Sequence, residues 1–281
     1  MKGWSLEDIR WDRFDPLRVN PEVLRIVKAA ANVEHNGADY GRYLCNVFHD
    51  DPAFQQAALT WAHEEVQHGR ALARWAGLAD PDFDFDTCFQ RFRDGFSLTL
   101  DATESIRGSR AAELLSRCIV EVGTSSYYSA LAEASDEPVL REICQNIAAD
   151  ELRHYKLFYS HLRRYLKQEK ISRLRRFMVA ARRITETEDD ELAYAYYAAN
   201  GGDAPYSRRR WSKAYLNRAA RLYRPRHVER GVAMALKAAG FQPWGRLNRP
   251  LARMAYWMMR RKARHGPGAA GDDYIMGMRV A

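Results

Sequence analysis

Two acidic stops carrying proline divide the first part of the chain: "DDP" (Asp50, Asp51, Pro52) and "SDEP" (Ser135 to Pro138). On both sides of each stop, apolar residues recur at helical spacing, and no stretch alternates at period two. An acidic residue placed before a proline is a helix N-cap followed by a residue suited to the first helical position. Each stop therefore ends one helix and starts the next, which predicts two antiparallel hairpins in an all-α protein.

The first helix is expected over "NPEVLRIVKAAANVEHNGADYGRYLCNVFH" (Asn20 to His49), and the second from Pro52 to Gly77, with the glycine as C-cap. "LADPDFDFDTCFQRFRDG" (Leu78 to Gly95) breaks the pattern and reads as a connection long enough to run back along a bundle. A third helix covers roughly Glu104 to Ala134, and a fourth runs from Pro138 to about Lys167. Hairpin, long crossover, hairpin is the connectivity of a ferritin-like four-helix bundle. Additional C-terminal helices follow, broken at "NGGDAP", "YRP" and "GFQPWG". The expected division is a bundle with its N-terminal segment over 1–168, a basic helical extension packed on it over 169–265, and a flexible tail over 266–281.

The second and fourth helices each contain Glu-x-x-His: Glu65 with His68, and Glu151 with His154. A step of three places carboxylate and imidazole on one helix face, where both can reach one metal ion. One such pair arises readily by chance and is ordinarily a solvated face. Turn geometry adds the constraint, because residues equally far from a hairpin turn lie at the same height. Glu34 lies 16 residues before Asp50 and Glu65 lies 14 after Asp51; Glu121 lies 15 before Asp136 and Glu151 lies 13 after Pro138. Each Glu-x-x-His thus faces a lone glutamate. Glu113 is 23 residues from Asp136, which at about 1.5 Å rise per residue puts it about 12 Å too high, and Glu133 sits almost in the turn.

Glu34, Glu65, His68, Glu121, Glu151 and His154 are therefore the expected metal ligands. One Glu from each of two helices and Glu-x-x-His from each of the others is a di-iron or di-manganese donor set. Hard oxygens with two imidazoles suit two Fe ions, or Fe with Mn, better than tetrahedral zinc. A metal-bound imidazole ordinarily gives its other N–H to a carboxylate. Glu64 is expected to hold His154 and Asp150 to hold His68, with Arg153 balancing the buried negative charge.

These residues resemble the soluble acyl-carrier-protein desaturases of the ferritin-like di-iron superfamily. "EEVQHG" (Glu64 to Gly69) is similar to that family's E-E-x-R-H-G, with Gln67 in place of the arginine; "IAADELRH" (Ile147 to His154) is similar to its I-A-A-D-E-x-R-H; "EHNGA" (Glu34 to Ala38) loosely resembles its E-x-G-A. The resemblance covers about residues 30 to 165 and implies the same six ligands. It also implies a threonine one turn beyond the third-helix glutamate, linked to oxygen activation, and Thr124 stands there; a hydroxyl bonded back to the carbonyl four residues earlier is the competing reading. The activity implied is O2-dependent oxidation of an unactivated C–H bond of a fatty-acyl or other lipophilic substrate. The alternatives are a rubrerythrin-like or ferritin-like peroxidase or ferroxidase, and a di-iron tRNA hydroxylase.

The net charge of +8 conceals a division: residues 1–169 hold 20 Lys and Arg against 27 Asp and Glu, whereas residues 170–281 hold 24 against 9. No flavin, nicotinamide or iron–sulfur motif is present in the sequence, so an external electron donor such as an acidic ferredoxin is expected, with acyl-carrier protein as a second acidic partner for the basic part. A homodimer is also expected. "YSRRRWSKAY" (Tyr206 to Tyr215) and "ARMAYWMMRRKARHG" (Ala252 to Gly266) interleave cations with aromatics, a pattern that suits a solvated face, an anionic membrane surface or RNA. Peripheral membrane contact stays among the expectations, and RNA is disfavoured. With no run of about 18 apolar residues, the expected location is the cytoplasm. Cys45, Cys88, Cys118 and Cys144 show no Cys-x-x-Cys pair and are expected to be reduced, buried fillers.

Overall fold

The computed structural model describes residues 3–185 and 190–264. Three short 3-10 turns precede α1 (Pro21–His35), α2 (Gly37–Val47), α3 (Pro52–Ala79), α4 (Phe85–Gly95), α5 (Arg110–Ala134) and α6 (Pro138–Glu169). Then follow α7 (Arg173–Thr185), α8 (Asp190–Asn200), α9 (Arg208–Leu222), α10 (Pro225–Ala238) and α11 (Asn248–Arg264). Among the described residues there is no strand, and the fold is an all-α bundle.

Both acidic stops also tie the bundle together. Asp51 accepts the backbone N–H of Phe54 at 3.1 Å to cap α3, and the same carboxylate takes Arg164 and the Tyr165 hydroxyl (2.8 Å) from α6. Glu137 caps α6 through Leu140 N–H (2.7 Å) and accepts from Trp75 of α3 (2.7 Å) and from the backbone of Asp15 (3.2 Å). Each capping carboxylate thus satisfies orphan helix donors and cross-links two hairpins at one end of the bundle.

α1 and α2 pack on α3, α5 packs on α6, and α3 meets α6 between the pairs. The apolar core is split in two. One cluster is built from Val27, Leu72, Trp75, Leu131 and Ile143, the other from Leu44, Phe54, Leu115, Phe158 and Leu162. Glu34, Glu65, His68, Glu121, Glu151 and His154 occupy the stretch of α1, α3, α5 and α6 between the two. The polar site is therefore capped above and below by apolar packing.

Several boundaries differ from the sequence expectation. The first helix is two: it breaks at Asn36, whose N–H turns back to the carbonyls of Asn32 and Val33. The break lies where α2 crowds α3, since a Cβ at Gly37 would stand 2.4 Å from Glu65 Cβ and one at Gly41 2.6 Å from Ala62 Cβ. Gly77 does not cap α3, which runs two residues further to Ala79, with Asp80 as its C-cap, held by Lys28. The third helix starts at Arg110, where Ser109 caps it, rather than near Glu104. The long connection holds α4, capped by Asp84, whose Phe85, Phe89 and Phe92 continue into Phe96 at its C-cap as successive stacked rings. Cys88, Cys118 and Cys144 are buried as expected, while Cys45 is only half-buried; all four are free thiols.

Beyond α6, α8 packs on α1, α9 on α8, α7 and α10 on α5, and α11 on α9 and α10. The tail expected to be flexible, 266–281, lies outside the described residues.

Candidate metal centre

The six candidate ligands meet in two groups that share two members. Glu34, Glu65, His68 and Glu151 form one, and Glu65, Glu121, Glu151 and His154 the other; within each group the donor atoms lie within 4.8 Å of one another. His68 Nδ1 stands 3.6 Å from Glu34, 3.8 Å from Glu65 and 3.5 Å from Glu151. His154 Nδ1 stands 3.0 Å from Glu65, 3.5 Å from Glu121 and 3.7 Å from Glu151. Glu65 and Glu151 thus reach both halves, and each half adds one glutamate and one histidine. All six residues are buried.

Which atoms are left without partners is the test of fit. Glu34 Oε2, Glu65 Oε1, Glu121 Oε1, Glu151 Oε1 and Nδ1 of both His68 and His154 are buried and make no hydrogen bond. Buried polar atoms are almost always paired, so six unpaired donor atoms converging on one space call for a shared partner. Metal ions held there would supply it and would also offset the charge of the buried carboxylates.

The imidazoles are held from behind. His154 Nε2 is 2.6 Å from Glu64, and His68 Nε2 is 3.1 Å from Asp150. An ionised carboxylate offers only acceptors, so each ring presents an N–H at Nε2, and with an ion in place the Nδ1 lone pair would face it. Arg153 joins the two carboxylates, at 2.6 Å from Asp150 and 3.3 Å from Glu64.

Without cations, protons take up the charge. Burial, then repulsion from Glu65, pushes the Glu34 carboxyl well above the usual carboxylate range; burial, then repulsion from Glu151, does the same to Glu121. Burial also opposes ionisation of Glu65, but the two imidazoles beside it, His154 first, hold it well below that range. Burial works against charge on His68 and His154, yet the surrounding carboxylates outweigh it and raise both imidazoles well above their ordinary value. Divalent cations held there would displace those protons.

Thr124 Oγ1 lies 2.8 Å from Glu151 Oε2, and also 3.2 and 3.1 Å from the carbonyls of Val120 and Glu121. The hydroxyl has one proton, so the contact with the carboxylate competes with bonding back into its own helix. Two neighbours escaped the sequence reading. Tyr128 donates its hydroxyl to Glu34 Oε1 at 2.6 Å, one turn beyond Thr124 on α5. Trp4 donates its indole N–H to Asp150 Oδ2 at 2.8 Å, and its ring lies parallel to His68 with centroids 6.0 Å apart. The step of four from Thr124 was a usable signal for Tyr128; nothing in the periodicity signals Trp4, whose backbone carbonyl is fixed by Gln67 at 2.9 Å. Glu113 and Glu133 lie apart from the cluster: Glu113 accepts from Tyr43 and Ser105, and Glu133 pairs with Arg224 and His227.

No family model matches the chain, and a search of the curated proteins finds no match.

Proposed function

We propose that this chain is a non-haem di-iron, O2-dependent oxidoreductase of the desaturase or hydroxylase type, acting on a fatty-acyl or other lipophilic substrate. The observation that carries the proposal is the convergence of six unpaired, buried donor atoms in two groups bridged by Glu65 and Glu151. Glu34 and His68 would complete one ion's set, and Glu121 and His154 the other's. Carboxylate oxygens with one imidazole per ion favour Fe, or Fe with Mn, over a structural zinc site.

Two ferrous ions, when bound, supply reduction of O2 and the removal of hydrogen from an unactivated C–H bond. The chain's own residues set the conditions. Asp150 and Glu64 hold the protons on His68 Nε2 and His154 Nε2 and keep both rings turned inward. Tyr128 fixes one oxygen of Glu34 and leaves the other free, and the Thr124 hydroxyl rests against Glu151. The apolar clusters on either side keep water from the site and strengthen every charge interaction inside it. Electrons arrive from outside the chain, for which an acidic ferredoxin is the fitting partner of the basic second part.

The test is anaerobic loading with ferrous iron, then O2 and a chemical reductant in the presence of acyl substrates, with products resolved by mass spectrometry. The proposal expects loss of two hydrogens from, or gain of one oxygen by, the substrate. Ferrous oxidation coupled to O2 or peroxide consumption with every acyl chain unchanged would instead establish the ferroxidase or peroxidase reading.

A further inference from the structure

Exposed apolar surface is unevenly placed in this molecule. Of the thirteen large hydrophobic side chains exposed among the described residues, nine follow Lys170, in α7, in the α10–α11 connection and in α11. The two stretches that mix cations with aromatics behave differently. In α9 the aromatics turn inward: Trp211 and Tyr215 are buried against Tyr196, leaving Arg208, Arg209 and Arg210 outside. In α11 the reverse holds. Ala252 is buried and Leu251, Ala255, Tyr256 and Met259 are half-buried on the side that packs on α9 and α10. Met254, Trp257 and Met258, at positions i, i+3 and i+4, form an outward stripe with exposures of 50, 57 and 43 %.

A helix that is already packed on one side should show water a polar opposite side. Here the outward side is apolar apart from Arg261, whose guanidinium lies over the Trp257 ring at 5.2 Å from its centroid, and Arg249, Arg253 and Arg260 follow one another along its flank, at about 220 to 260° around the helix from Met254 at 100° per residue. α11 contains no acidic residue, nor does α7. α7 repeats the pattern, with Leu174, Phe177, Met178 and Ile184 exposed among arginines, and Phe177 touches Phe241 at 5.9 Å at the start of the loop that exposes Trp244 and Leu247.

We infer that the outward face of α11 docks on an anionic phospholipid surface. Tryptophan and methionine flanked by arginine enter the headgroup and acyl boundary, where apolar burial and attraction to anionic lipid act together. A second protein copy would bring the same cationic face against itself, and the like charges oppose that contact. One exposed indole among methionines also offers RNA no series of rings on which to stack bases. The docking surface is separate from the metal centre, so either reading stands if the other fails.

The full chain would be mixed with vesicles of phosphatidylcholine alone and of phosphatidylcholine with phosphatidylglycerol, and bound protein measured by co-sedimentation. Binding is expected to the anionic vesicles, to weaken with added salt, and to be about tenfold or more weaker to the neutral ones. Met254→Ser with Trp257→Ser, and separately Arg253→Gln with Arg260→Gln, should each reduce anionic binding about tenfold, while Leu59→Ser, an exposed leucine on α3, should leave it unchanged. Unchanged circular dichroism of each variant shows that the fold is intact. The inference is overturned if anionic and neutral vesicles bind alike, if the α11 variants bind as the parent does, or if the stripe variant instead converts an oligomer to a monomer.

Discussion

Replacing Asp150 by asparagine should cost the Glu34–His68 half of the centre its ion while sparing the other half. Asp150 Oδ2 accepts two donors, His68 Nε2 at 3.1 Å and Trp4 Nε1 at 2.8 Å, and Oδ1 accepts Arg153 at 2.6 Å. Asparagine has one acceptor oxygen for those three donors. With its NH2 toward His68, the imidazole must move its proton to Nδ1, the nitrogen that faces Glu34 and Glu151 at 3.6 and 3.5 Å. The proton then occupies the lone pair an ion needs. With the NH2 toward Arg153, two donors meet at hydrogen-bond distance and His68 is left on a neutral acceptor. Loss of such a carboxylate partner typically weakens metal binding about 10- to 100-fold, or about 1.4 to 2.7 kcal/mol. Anaerobic titration with cobalt(II), followed by its visible absorption, would resolve the two affinities. One should fall in Asp150→Asn and the other persist, and Glu64→Gln should weaken the opposite ion through His154. Equal loss of both ions in either variant, or no loss in either, would refute the assignment of each carboxylate to one imidazole.

Three further outcomes follow from other contacts. Gly69→Ala should destabilise the protein by about 1 to 3 kcal/mol in chemical denaturation, because its Cβ would stand 2.5 Å from the backbone nitrogen of His35 and force α1 from α3 beside Glu34; Gly77→Ala, in the last turn of α3 with nothing within 4 Å, should instead stabilise by about 0.5 kcal/mol. The melting gap between metal-loaded and chelated protein should widen as pH rises. Glu34 and Glu121 are raised above 4.5, and His68 and His154 above 6.5, so their contribution to the chelated protein is full below those values and is lost as pH climbs through the raised ones. Bound cations replace those protons, so the gap should grow with pH for as long as the chelated folded site still holds them, up to the raised values, by up to about 1.4 kcal/mol per pH unit for each proton displaced; a gap that narrows would contradict this. Tyr128→Phe should leave Glu34 Oε1 buried and unpaired, costing about 1 to 3 kcal/mol in the chelated protein, measured by denaturation, and less once metal fixes Glu34.

The sequence carried the site further than it carried the helix boundaries, for a physical reason. Acidic residues before Pro52 and Pro138 fix where two hairpins turn, and a rigid rise per residue then sets which side chains share a height, so Glu34, Glu65, Glu121 and Glu151 could be paired by counting. The break at Asn36 depends instead on how closely α2 approaches α3. Its trace in the sequence is the Asn-Gly pair and the small residues Gly37 and Gly41, which read equally well as tolerated positions in one long helix. Gly77 looked like a cap because glycine commonly ends helices, but Lys28 and Asp80 secure α3 two residues later. Trp4 is out of reach of periodicity altogether: it lies in irregular chain before the first 3-10 turn, far from α6 in sequence, and that segment is placed by tertiary contacts such as Arg10 with Glu142 and Gln67 with the Trp4 carbonyl.

The most direct test is to crystallise the protein after anaerobic loading with ferrous iron and to record anomalous scattering across the iron absorption edge. Two peaks per chain are expected, one beside Glu34 and His68 and one beside Glu121 and His154, each within reach of Glu65 and Glu151. A single peak, none, or iron bound away from these six residues would contradict the assignment of a two-ion centre.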